Sequence, residues 1–150
     1  MITTEGKTTE QVIAEIFAKL VEQGKPCFVA GRCAYGDEEG NHCAVGWLLP
    51  PDDDRLMGLV VTVDDLCTTM PSRLGPNGSW IQENSGLLCH IQNLHDFTTD
   101  PPRPRSVRLC LSEIERDFPP EVYQAVCEHA APWFALFPDF EGAIPVGESQ

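Results

Sequence analysis

Basic residues are scarce in this chain. Lys and Arg total 10 against 23 Asp and Glu, a formal charge of −13. Binding to nucleic acid or to an anionic membrane draws on Lys and Arg, so this balance argues against both partners. Long apolar runs are missing too, and none approaches the roughly 20 residues of a membrane helix. The start has no basic, apolar and small-residue order of the secretory kind. There is no C-x-x-C pair, and no glycine-rich stretch carries the Lys and helix start of a phosphate loop. "GPNG" and "GRCAYG" lack both. These absences lead to the expectation of a soluble protein of the cytoplasm with no cofactor.

What is present points the same way. The 150 residues suit one domain, and a hydrophobic content of 42% is enough for one core. The seven cysteines, an odd number, sit partly in apolar runs such as "LLCHI" and "VRLCL". Reduced, buried thiols fit this pattern better than a disulfide framework.

Residues 8–23 carry the clearest helical signal. Val12, Ile13, Ile16, Phe17, Leu20 and Val21 form one apolar stripe, Thr8 and Gln11 have capping-box spacing, and Gly24 and Pro26 stop the helix. "FVAGRC" and "GDEEGN" predict a small β-hairpin near residues 28–43, with "GDEEGN" as its turn. "CAVGWLL" reads as a helical turn ended by Pro50 and Pro51. A short helix is expected from Thr62, and "PSRLGPNG" is expected to be a loop. Residues 79–97 read as a second long helix, with Ser79 and Gln82 at capping-box spacing and Gly86 weakening its first half. "TTDPPRPR" reads as a non-helical linker before a helix in "SVRLCLSEIERDF", and "PPEVYQAVCEHA" as another helix. The fold class is α+β, mostly α: a single compact helical domain over 1–137 with one small hairpin, then an acidic, frayed tail over 138–150. Trp133, Phe134, Phe137 and Phe140 follow a helix breaker. Trp133 and Phe137 are assigned to the core, and the other two to a protein interface.

"CAYGDEEGNHCAVGWLLP", the later "DDDRLMG" and "LLCHIQNLHD" occur in this order. Together they resemble a group of small proteins found in phage and prophage genomes. The resemblance spans about residues 8–97 and implies a phage-type origin and a compact domain in the bacterial cytoplasm. It supplies no reaction.

The polar residues bear on three chemistries. Cys33, His42, Cys43, His90 and His95 are a poor zinc set, because nine residues separate Cys33 from Cys43 and neighbours on a strand face opposite ways. Cys43 heads a predicted helical turn, so it is the candidate nucleophile of a cysteine-dependent hydrolase or transferase, with His95 as base. Asp96 follows His95 by one helical position, about 100° round the helix, and is not expected to orient that ring. The favoured reading is non-enzymatic: a small acidic accessory protein that binds another protein with a basic surface and modulates a host or defence enzyme. Its candidate binding residues are Tyr35, Gln92, Asp96, Arg103, Arg105 and the acidic run Asp52, Asp53 and Asp54. A homodimer is kept open, and a nucleotide-binding sponge using the arginines is a third alternative.

Overall fold

The computed structural model describes residues 1–29, 32–99 and 101–144. Its six α-helices among those residues are α1 (Thr9–Gln23), α2 (Val63–Thr69), α3 (Gly78–Glu83), α4 (Ser85–Asp96), α5 (Pro104–Asp117) and α6 (Pro120–Phe134). The domain is mostly helical, as the periodicity predicts.

The start of α1 follows directly from its sequence. Thr8 Oγ1 accepts from the Gln11 N–H at 3.2 Å and Gln11 Oε1 accepts from the Thr8 N–H at 2.8 Å, which satisfies two donors left free at a helix start. At the other end Gly24 takes φ 79° and donates to the Leu20 carbonyl at 2.9 Å. Val12, Ile13, Ile16, Phe17 and Leu20 are buried, and this face packs against α6. α4 contacts α2 and α5, and α5 in turn contacts α6.

Extended structure is far smaller than the expected hairpin. β1 (Phe28–Val29) and β2 (Arg32–Cys33) pair antiparallel, Phe28 opposite Cys33 and Val29 opposite Arg32. A hairpin reaching Cys43 with "GDEEGN" as its turn does not form. A lone bridge, Gly36 to His42, closes that turn instead. The reason lies in Asp37, whose carboxylate accepts from the N–H groups of Glu39 and Asn41 and from the Asn41 side chain, each at 2.9 Å. These local bonds use the donors that a ladder would need.

Five further expectations are corrected. Residues 79–97 form two helices, because Asn84 leaves helical geometry and both its N–H and its side-chain amide donate to the Trp80 carbonyl. Ser79 lies inside α3 and caps nothing. "PSRLGPNG" coils into two 3₁₀ turns, Pro71–Arg73 and Gly75–Asn77. α5 begins within the presumed linker, at Pro104, since proline suits the first helical position. α6 runs through Pro132 to Phe134. Pro132 forfeits only the bond to the Glu128 carbonyl, and Glu128 is on the solvent side.

The chain after α6 folds back. Pro138–Phe140 is a 3₁₀ turn, and Phe140, Ala143 and Ile144 are buried. The segment expected to fray is therefore packed as far as Ile144, while the rest of that tail lies outside the described residues. Trp133 is buried as assigned and Phe137 is half-buried, but Phe134 and Phe140, assigned to an interface, are buried with ring centroids 5.1 Å apart and planes tilted by 43°. They complete the core at the end of α6.

Candidate functional site

Cys43 precedes a 3₁₀ turn, Val45–Leu48, and its Sγ accepts from the Gly46 N–H at 3.3 Å. The side chain has no solvent exposure. Burial pushes its thiol well above the ordinary range, so the site favours the uncharged form. His95 is equally enclosed. Its Nε2 accepts from the Cys27 N–H at 3.1 Å, and its Nδ1 lies 3.0 Å from Asp96 Oδ1. The first bond fixes the tautomer: Nδ1 carries the proton and donates to Asp96. Trp133 stacks on the ring, centroids 5.9 Å apart and 8° from parallel. Neither nitrogen is left to take a proton from Cys43. The expectation that Asp96 would not orient His95 is wrong: at the last turn of α4, one short side chain reaches the near nitrogen of the next.

Gln92 joins this arrangement. Its Nε2 donates to Asp96 Oδ1 at 2.9 Å, and its Oε1 accepts from the Val45 N–H at 3.1 Å. Two side chains of α4, Gln92 and His95, both held by Asp96, therefore satisfy two buried backbone donors, Val45 and Cys27. The motif "IQNLHD" is explained by this fastening. Asn77, which the sequence reading missed, does the same elsewhere. Its Oδ1 accepts from the Thr4 N–H and hydroxyl, and its Nδ2 donates to the carbonyls of Ile2 and Leu48. The local sequence "GPNG" signals a turn and nothing more.

The polar face of α4 opens onto a cleft of about 840 Å³. Tyr35, Gln92, Asp96 and Arg103, four of the candidate binding residues, line it together. So do residues that the sequence reading left unassigned: Asp64 and Asp65 in the first turn of α2, and Phe28 and Val60 on the walls. Phe28 and Val60 are 39% and 43% exposed, high for large apolar side chains. Tyr35 is buried, and its hydroxyl donates to the Val61 carbonyl at 2.8 Å, holding one wall in place. Burial drives its ionisation upward, so it serves as a neutral donor. Arg103 sits over the Phe97 ring, 4.9 Å from its centroid, and its Nη2 donates to the Asp96 carbonyl at 3.4 Å.

The other candidates lie apart from this cleft. Arg105 is exposed on α5. Asp52 and Asp54 are exposed on a turn, and Asp53 pairs with Arg73 at 3.5 Å. Among the described residues no group of three or more His, Cys, Asp or Glu is placed to hold a metal ion, and no helix is long and apolar enough to cross a membrane. Comparison with protein-family models, with curated proteins and with solved structures finds no match to this chain.

Proposed function

We propose that the chain is a small acidic accessory protein of phage type that acts by binding another protein through a basic surface of that partner. One observation carries this reading: an open cleft in which three carboxylates, Asp64, Asp65 and Asp96, and two exposed apolar side chains, Phe28 and Val60, surround Arg103, the one cation of the lining among the described residues. Exposed apolar side chains beside acids that form no ion pair with Lys or Arg among the described residues supply contact area and sign discrimination together. The excess of 23 acids over 10 bases extends the same negative field beyond the cleft and speeds the approach of a basic partner. A thiol chemistry at Cys43 has no such support, since its sulfur is enclosed and uncharged and His95 is committed elsewhere.

The test is quantitative capture from a bacterial lysate on immobilised protein, comparing the native chain with an Asp64→Lys/Asp65→Lys variant. A partner retained in stoichiometric amount at low salt is expected to be released as ionic strength rises from about 0.05 M to about 0.5 M. The variant is expected to retain none of it. Retention that is indifferent both to salt and to the charge reversal would overturn the reading.

A further inference from the structure

We propose that the cleft is an arginine-reading site: it receives an arginine side chain of the partner, guanidinium on Asp96 and over the Phe28 ring, aliphatic stem against Val60. The inference rests on the protein-binding reading above and names its occupant. Three observations support it.

The first is the state of the Asp96 carboxylate. Oδ1 accepts from Gln92 Nε2 and from His95 Nδ1, whereas Oδ2 makes no hydrogen bond among the described residues. The side chain is 26% exposed and lines the cleft. One oxygen is thus tied down by two side chains, one of them fully buried, and the other is held in place for a ligand. Such an anchored acceptor loses little conformational freedom on binding.

The second is charge. Among the described residues Asp64, Asp65 and Asp96 form no ion pair with Lys or Arg, and the one cation of the lining is already engaged with Phe97 and a carbonyl. An anionic ligand would meet three carboxylates, and a cationic one completes the balance.

The third is shape and surface. Phe28 offers an aromatic face 39% exposed, and Val60 an aliphatic one 43% exposed. A guanidinium is planar, weakly hydrated, stacks on aromatic rings and donates in a fork, whereas an ammonium is a compact, strongly hydrated charge. The cleft thus suits arginine over lysine. At about 840 Å³ it holds more than one side chain, so residues flanking the arginine also enter.

The experiment is a titration of the isotope-labelled protein followed by amide shifts, with three peptides: acetyl-Gly-Arg-Gly-amide and its lysine and citrulline counterparts. The arginine peptide is expected to bind in about the millimolar range, as suits so small a ligand. The amides of Val61, Asn93 and Asp96 are expected to move. The lysine peptide is expected to bind at least about fivefold more weakly, and the citrulline peptide, isosteric but uncharged, to leave the spectrum unchanged. Asp96→Asn should abolish binding. Because Asp96 also holds His95, the exposed pair Asp64→Asn/Asp65→Asn is the second variant, expected to weaken binding about threefold or more with an unchanged helical spectrum. Equal binding of lysine or citrulline, or shifts confined to another face, would overturn the assignment. If the arginine peptide fails while the Asp64→Lys/Asp65→Lys variant still loses a captured protein, the arginine site falls and the protein-binding reading stands. If the peptide binds and no protein is captured, the reverse holds.

Discussion

Gly46 shows how one residue constrains this molecule. It lies in the 3₁₀ turn Val45–Leu48, and a Cβ built there would overlap the carbonyl oxygen of Tyr35 and come within 3.1 Å of the His42 Cβ. The obstacle is backbone, which cannot rotate away. Its N–H also serves Cys43 Sγ. The glycine of "CAVG" is therefore explained by close packing of the turn on Tyr35, one wall of the cleft. Gly46→Ala is expected to destabilise the protein by about 3 kcal/mol, at the upper end for overpacking. Gly86 is the contrast: it is helical and exposed, and its nearest new neighbour would be the Phe118 ring at 4.0 Å. Gly86→Ala is expected to stabilise by about 0.5–1 kcal/mol through helix propensity. Urea denaturation of both variants, read at constant slope, checks the opposite signs. A Gly46→Ala midpoint equal to that of the native chain would refute the packing argument.

Among the elements, α4 has the most unusual role, since its last two turns hold both a cleft wall and two distant backbone segments. Gln92→Leu should expose this. The buried Val45 N–H would lose its acceptor, which costs about 1–3 kcal/mol, while Asp96, facing the cleft, can replace its lost donor with water. Amide exchange at Val45 should accelerate more than exchange within α1, which the substitution does not touch. Uniform acceleration across both would mean that Gln92 merely fills space. The elements themselves were largely readable where their signals are local. The stripe and caps of α1, the start of α2 at Thr62 and the proline start of α6 all depend on residues three or four apart. The break at Asn84 was not readable, because it arises from a side-chain amide turning back to Trp80, in competition with an apolar pattern that continues across it. The hairpin failed for a similar reason: Asp37 captures donors that alternation assigns to a ladder. Four binding candidates did converge, but Asp64, Asp65, Phe28 and Val60 join them only through tertiary packing of α2 against α4, which no single stretch records. The pairing of Asp96 with His95 was misjudged because the 100° rule describes Cβ directions, and a ring nitrogen one bond from the branch lies close enough to defeat it.

For the molecule as a whole, the buried acids set an alkaline limit to stability. Burial raises Cys43 well above the usual thiol value, Cys110 from 9.0 to about 12, and Tyr35 above the usual phenol value. In the unfolded chain these groups ionise at ordinary values, while the folded chain keeps their protons. Above the ordinary thiol value the unfolded state therefore binds fewer protons than the native state, and unfolding free energy falls as pH rises. The contribution is whole below about pH 8.5 and is lost on the way to the folded values, about 12 in the case of Cys110. Each thiol that stays protonated while its unfolded counterpart ionises adds a slope approaching about 1.4 kcal/mol per pH unit. Urea denaturation between about pH 8 and about pH 10 should show stability declining steadily, below the range where lysine titrates. Cys43→Ala and Cys110→Ala should each flatten the decline, whatever they do to stability at neutral pH. A profile that stays level to pH 10 would mean that the thiols reach solvent in the native protein, and would reopen Cys43 as a reactive group.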